Sequence, residues 1–260
     1  MEVISKDGTR IAYEKSGSGP LLILVDGALC SRAFGPMPKL AQLLTGNFTV
    51  ITYDRRGRNE SSDTQPYSVE REIEDIEALI NDNGGSAFVT GFSSGAALSL
   101  AAAAHGLNIT RLALYEPPFM VDPGQQPPAD SLQQLQTMIA ENRRGDAVKF
   151  FLKDMVGVPA MIVFIMKIMP VWSKLKSVAH TLPYDVAVLG NFSLPRDRAA
   201  SVKTPTLVSG GDKSPATMQQ AMKKLSEVMP NSELNMLKGQ THNVAGKAIA
   251  PVLIKFFEAK

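Results

Sequence analysis

Four short apolar runs, Leu21–Val25, Phe48–Tyr53, Ala87–Thr90 and Arg111–Tyr115, recur through the first half of the chain with helical stretches between them. None shows the strict every-second-residue alternation of a strand with one wet face. Each therefore reads as a strand that is apolar on both faces, which is what a parallel sheet covered by helices on both sides requires. Between the runs, Val69, Ile73, Ile76 and Ile80 recur at steps of three and four. That spacing predicts a helix over 68–80, with Ser68 as its N-cap and Asn83-Gly84-Gly85 as its stop. Ahead of the first run, Met1–Lys6 and Thr9–Lys15 flank Asp7-Gly8, a dipeptide that favours a tight hairpin.

The alternation breaks after Glu116. Pro117, Pro118, Pro123, Pro127 and Pro128 crowd a short segment, and mixed helical, Met-rich sequence follows to about Pro195. It then resumes with Thr206–Ser209, a helix near Ala216–Met229, Glu233–Leu237 and a last helix near Ala248–Glu258. The expectation is an α/β fold with a mostly parallel, doubly wound sheet formed by residues 1–116 and 196–260, interrupted by a helical cap over 117–195.

Composition narrows the function classes. The 260 residues, 44% of them hydrophobic, suffice for a sizeable core. Lys and Arg total 27 against 25 Asp and Glu, a net charge of +2 without a basic block, which removes the usual electrostatic motive for a nucleic-acid partner. One cysteine, Cys30, excludes an intrachain disulfide. Three histidines, none in an H-E-x-x-H pattern, leave no zinc-enzyme signature, so no metal is expected. Met1–Arg10 lacks the apolar core of a signal peptide, and the apolar stretch Val156–Trp172 is broken by Gly157, Pro159, Lys167 and Pro170. It is too interrupted for a span of roughly 20 residues, so the expectation is a soluble, cytoplasmic protein with a small-molecule substrate and no membrane partner.

The chemistry-bearing string is Gly91-Phe92-Ser93-Ser94-Gly95, a G-x-S-x-G match between the strand-like Ala87–Thr90 and a helix of small residues, Gly95–Ala104. A serine held on a sharp strand-to-helix bend is exposed for attack, and the flanking glycines leave room for the bend. A serine hydroxyl needs a base, itself oriented by a carboxylate, in the chain order serine, acid, histidine. His242, in the polar loop before the last helix, is the predicted base, and His180 in the inserted segment is not. Asp212, ending Thr206-Leu207-Val208-Ser209-Gly210-Gly211, is the predicted acid, with Glu116 as runner-up because it too leaves a buried strand at its carboxyl edge.

These pieces, with Tyr53-Asp54-Arg55-Arg56-Gly57-Arg58, resemble the α/β-hydrolase superfamily, in particular its small esterases, cofactor-free haloperoxidase/perhydrolases and ring-cleavage hydrolases. The resemblance implies Ser93 as nucleophile, Asp212 as orienting acid, His242 as general base, and the backbone N–H groups of Ala28 and Ser94 as oxyanion hole. It implies no cofactor. Hydrolysis of a small apolar carboxylic ester or related acyl substrate is the expected activity. The alternatives are perhydrolysis, in which peroxide intercepts the acyl-enzyme, and a catalytically silent binding protein on the same fold. Phe92, Met161 and Trp172 are expected to contact substrate. Met155, Met161, Phe164, Met166, Met169 and Trp172 are expected either to line an apolar pocket or to form the inner face of the cap helices.

One departure from the resemblance matters. The family usually has His-Gly after the first of the four strands, and here Asp26-Gly27 stands there. An ionised carboxylate about 6 Å from a developing oxyanion would oppose it by roughly 3 kcal/mol at an effective dielectric of 20. Asp26 is therefore expected to be turned away, paired with an arginine such as Arg32 or Arg55, or protonated. Cys30 reads as a buried small residue, His105 as a helix C-terminal residue, and Asp54, Arg55, Arg56 and Arg58 as an ion-pair network rather than an anion site.

Overall fold

The structure, a computed structural model, describes residues 1–259 apart from Pro123 and Gln125, so Pro123 of the proline-crowded segment lies outside the described residues. The chain begins β1 (Glu2–Ile4), β2 (Arg10–Gly17), β3 (Leu21–Val25), α1 (Met37–Leu44), β4 (Thr49–Tyr53), α2 (Val69–Asp82), β5 (Ala87–Phe92), α3 (Ser94–Ala104) and β6 (Ile109–Tyr115). A helical insertion follows, with α4 (Ser131–Ala140), α5 (Arg144–Phe150), a π-helical turn (Phe151–Met155), α6 (Ala160–Ile168), α7 (Val171–Val178), a 3₁₀ turn (Ala179–Thr181), α8 (Leu182–Leu189) and α9 (Arg196–Ser201). The chain ends β7 (Thr206–Gly211), α10 (Ala216–Val228), β8 (Ser232–Leu237) and α11 (Gly246–Glu258).

The strands form one eight-stranded sheet in the order β1-β2-β4-β3-β5-β6-β7-β8. β1 and β2 are antiparallel to their neighbours, and the other pairings are parallel. The doubly apolar strands explain the layering. Leu22, Leu24 and Val50 join α1 and α11 in the core on one face, while Ile23, Val25 and Ile51 join α2 and α3 on the other. Each strand thus buries alternate side chains in two separate cores, which removes the alternation a half-wet strand would show.

Two differences from the sequence expectation have a common cause. β5 runs on to Phe92 and β7 to Gly211, two residues past the expected ends. Glycine has low strand propensity, but here pairing runs through it: Gly91 pairs with Val25 on one side and Leu114 on the other, and Gly211 pairs with Leu237 while its amide donates to the Glu116 carboxylate. At the start of α2, Ser68 occupies the N-cap with extended backbone, yet its hydroxyl makes no capping hydrogen bond.

The register decides where function can sit. Because β3, β5, β6, β7 and β8 run parallel and in step, the residues after them, Asp26, Ser93, Glu116, Asp212 and the loop carrying His242, all emerge at one carboxyl edge.

Candidate active site

Ser93 leaves β5 at φ 55°, ψ −126°, a conformation that L residues avoid, and directly precedes α3. Its environment shows what imposes the bend. A Cβ on Gly91 would lie 2.3 Å from the Gly95 carbonyl oxygen, and one on Gly95 would lie 2.4 Å from the Val25 carbonyl oxygen. Only glycines let β5, the turn and α3 approach this closely. The amide of Ser93 donates to the Tyr115 carbonyl oxygen at 2.9 Å, which ties the bend to β6. The first amides of α3, including that of Ser94, stand at the positive end of the helix beside the Ser93 side chain.

The loop after β3 crosses over this bend. A Cβ on Gly27 would meet the Ser93 Cβ at 3.1 Å and its Oγ at 3.7 Å. The residue set directly against the serine is therefore Gly27, with Ala28 next in the chain and Leu29 at φ 60°.

His242 Nδ1 lies 2.9 Å from Oε2 of Glu116. The Glu116 carboxylate is fully buried, and its other oxygen accepts from the Gly211 amide at 2.7 Å and the Ser214 hydroxyl at 2.6 Å. Burial alone would push this carboxyl up. The hydrogen bonds from His242, Ser214 and Gly211 outweigh that effect and hold it below the usual glutamate range. An ionised carboxylate only accepts, so Nδ1 is the donor in this bond and Nε2 is the ring nitrogen that Glu116 does not engage. The ring is 37% exposed and open to a reactant.

Asp212, the expected acid, does not meet His242. Its Oδ1 accepts the Gly239 amide at 2.7 Å, and its own amide donates to the Leu237 carbonyl at 3.1 Å. It braces the turn that leads to His242. The physical reason is the length of β7: two extra paired residues, Gly210 and Gly211, carry Asp212 beyond the imidazole, while β6 stops at Tyr115 and turns Glu116 (φ 44°) inward. Further braces fix the same loop. Lys213 N–H donates to the Gln240 carbonyl at 2.9 Å and the Tyr115 hydroxyl to the Thr241 carbonyl at 2.7 Å.

Beneath the Gly27 loop lies a buried ion-pair network. Arg55 makes two 2.7 Å contacts with Glu72 and one with Asp185, and Arg58 grips both Asp185 oxygens at 2.8 and 2.9 Å. Asp185, on α8, also accepts from the Ser94 hydroxyl at 2.7 Å. Burial acts to raise the Asp185 carboxyl, but Arg58 and Arg55 hold it below the usual aspartate range. Arg58 further donates to the carbonyls of Gly27 (2.6 Å) and Cys30 (3.2 Å), and Arg55 to that of Asp26 (3.3 Å). Arg56 pairs with Asp75 and Asp7. The arginines are thus structural, as expected of a network, and they tether the loop over Ser93 to the helical insertion. Asp185 went unnoticed in the sequence, although a single charge inside the apolar Leu182–Leu189 was a usable signal.

Asp26 pairs with neither arginine through its carboxylate. Arg32 instead holds Asp54, Glu14 and Glu60. The Asp26 side chain is buried, and its Oδ1 has no hydrogen-bond partner among the described residues. Burial pushes its carboxyl up to about 8, against the pull of Arg58 and Arg55, so near neutrality it is chiefly the uncharged acid. Burial likewise pushes the Cys30 thiol up to about 12, which denies it thiolate chemistry.

The expected substrate contacts fare differently. Phe92 is buried and stacked on Tyr115 at 5.3 Å between centroids. Trp172 is buried in the insertion. Met161 is 69% exposed and Phe164 62% exposed, and Met169 is also exposed, so these three neither line a pocket nor form an inner face. A cavity of about 780 Å³ lies between α2, α4 and α8, lined by Tyr67, Leu132, His180 and Tyr184 among others, and includes none of Ser93, Glu116 or His242. Hydrogen-bond chemistry, not volume, marks the candidate site. No group of three His, Cys, Asp or Glu side chains gathers as a metal cage among the described residues.

A profile of the alpha/beta hydrolase family matches residues 21–246. The chain belongs to that family. This hydrolase is 53% identical to an alpha/beta hydrolase from Sphaerobacter thermophilus DSM 20745, with a TM-score of 0.92 over 99% of this chain and 100% of that one. An enol-lactonase from Burkholderia xenovorans LB400 is 20% identical, with a TM-score of 0.72 over the whole of both chains, and shares the fold. An uncharacterized hydrolase, YraK, of Bacillus subtilis (strain 168) is 35% identical over 97 residues. That match spans about a third of either chain (36% of this one, 35% of the relative).

Proposed function

We propose that the protein is a serine hydrolase that cleaves a small carboxylic ester or related acyl substrate through an acyl-enzyme, with Ser93 as nucleophile, His242 as general base and Glu116 as orienting acid. The observation that carries this reading is the 2.9 Å bond from His242 Nδ1 to buried Glu116, at the same sheet edge as the strained Ser93 turn. Ser93 Oγ attacks the ester carbonyl while His242 Nε2 takes its proton, and Glu116 keeps the imidazole in the required tautomer and stabilises the imidazolium. The tetrahedral oxyanion is held by the Ser94 amide at the start of α3 and the Ala28 amide on the opposing loop. Loss of one such donor typically costs about 10²–10³ in rate. His242 then protonates the leaving alcohol, and a water activated by the same ring releases the acid. With Met161, Phe164 and Met169 facing solvent, apolarity of the substrate loses its support, so the proposal extends to the acyl chemistry and not to chain character.

The test is labelling by a fluorophosphonate together with turnover of p-nitrophenyl esters of increasing acyl length. Labelling and turnover of the wild-type chain, both abolished in Ser93→Ala, are expected. A folded wild-type chain that is neither labelled nor active overturns the proposal in favour of a binding role.

A further inference from the structure

α6 contradicts a simple physical rule. Its sequence, Ala-Met-Ile-Val-Phe-Ile-Met-Lys-Ile, is apolar at every position but Lys167, and so apolar a helix is normally buried. Here only Val163 is buried, with Met166 partly so, while Met161, Ile162, Phe164, Ile165 and Ile168 (76%) stand exposed, joined by Val156 before the helix and Met169 after it. Isolated surface apolar residues need no explanation, but a contiguous helical patch does.

The support beneath α6 is well built. Its neighbour α7 is amphipathic, with Trp172, Leu175 and Val178 in the core, and Lys167 of α6 stands over the Trp172 ring at 5.7 Å. The patch is therefore a presented surface rather than a fragment missing its core.

Charge identifies what covers it. From Arg143 to Val178 the chain carries seven basic residues and two acidic ones, a net of +5, in a protein whose total is +2, so the remainder is −3. Both acids are already engaged, Asp146 by Arg143 and Asp154 by Lys153. Lys149, Lys167, Lys174 and Lys176 of this segment are exposed, with Lys167 on α6 itself and Lys174 reaching over the Phe34 ring at 5.6 Å. A two-fold pairing of this face with its own copy would set one +5 segment against another, which electrostatic complementarity disfavours. An apolar helix within a net-basic segment instead matches a surface with anionic headgroups outside and acyl chains within.

We propose that α6, with its flanking lysines, is a peripheral docking surface for an anionic lipid bilayer, entering the headgroup boundary with Ile162, Phe164, Ile165 and Ile168. No helix among the described residues is long and apolar enough to cross a membrane, and this mode needs none, because the helix lies in the interface rather than across it. The lack of a membrane span, on which the expectation of no membrane partner rests, does not bear on surface contact. The proposal is independent of the chemistry at Ser93.

The experiment is co-sedimentation of the full chain with vesicles of phosphatidylcholine alone and with about one-third phosphatidylglycerol. Binding at least about tenfold stronger to the anionic vesicles, weakened by high salt, is expected. Ile165→Asp/Ile168→Asp should reduce it about tenfold or more, and Lys167→Gln/Lys176→Gln should reduce the anionic preference several-fold. Ile165→Ser/Ile168→Ser serves if the aspartates disturb folding, as judged by thermal unfolding. Absence of binding to both vesicle types overturns the proposal, as does binding that both isoleucine pairs leave unchanged. A concentration-dependent dimer that the isoleucine substitutions dissociate overturns it in favour of a second copy.

Discussion

His242 Nδ1 meets Oε2 of Glu116, a residue at the end of β6, and not the carboxylate of Asp212 after β7. Both acids leave buried parallel strands at the same edge, but they do different work: one faces the imidazole and the other braces the turn that carries it.

Glu116→Gln should therefore lower kcat for activated esters by about 10³–10⁴, because an amide N–H facing Nδ1 would reverse the tautomer. Asp212→Asn keeps an oxygen able to accept from Gly239 and should cost less than about tenfold, since the loop loses only part of one hydrogen bond. Steady-state kinetics on the two variants reads this directly. A larger loss from Asp212→Asn than from Glu116→Gln would reverse the assignment.

Asp26 makes a pH-dependent stability prediction with a defined sign. Its folded-state value of about 8 lies above the ordinary aspartate value, so the folded state retains a proton that the unfolded chain has released. That contribution is complete below about pH 4 and is lost as pH rises to about 8, at up to about 1.4 kcal/mol per unit. Asp26→Asn should be more stable than wild type at pH 8, and the difference should shrink to nothing near pH 4. Denaturant titrations at several pH values measure it, and a constant difference across that range would refute the assignment.

Asp185→Asn leaves the Arg55 and Arg58 guanidiniums short of a buried counter-charge and should lower the unfolding free energy by about 3–5 kcal/mol. Ester turnover should fall as well, because Arg58 is the group that holds the Gly27 and Cys30 carbonyls. Chemical unfolding and kinetics on one preparation separate the two effects.

Ser94→Ala distinguishes the backbone of this residue from its side chain. The amide stays in place, so kcat should change by less than about threefold. The lost 2.7 Å bond to ionised Asp185 should cost about 1.5–3 kcal/mol of stability. A fall in kcat of a hundredfold with unchanged stability would assign the hydroxyl a part in the chemistry.

Much of this was legible in the chain. The apolar runs lacked alternation because each strand serves two cores, and that alone dictated a parallel sheet with helices on both faces. The elbow was legible because Gly91 and Gly95 stand where backbone atoms come within about 2.4 Å of any added Cβ. The carboxylate that meets His242 was not, because the choice between Glu116 and Asp212 depends on how far β6 and β7 extend before turning, and strand ends respond to pairing by neighbours that lie far away in sequence. The Met-rich helix misled for a related reason: composition reports that side chains are apolar, not which way they face.

Sequence alone thus determined the parallel α/β architecture, the serine turn and the histidine loop, because steric exclusion and two-faced burial act on residues adjacent in the chain. Tertiary structure decided which carboxylate meets His242, the desolvation that raises the Asp26 carboxyl and the exposure of α6, because register, burial and solvent contact are properties of segments brought together only by folding.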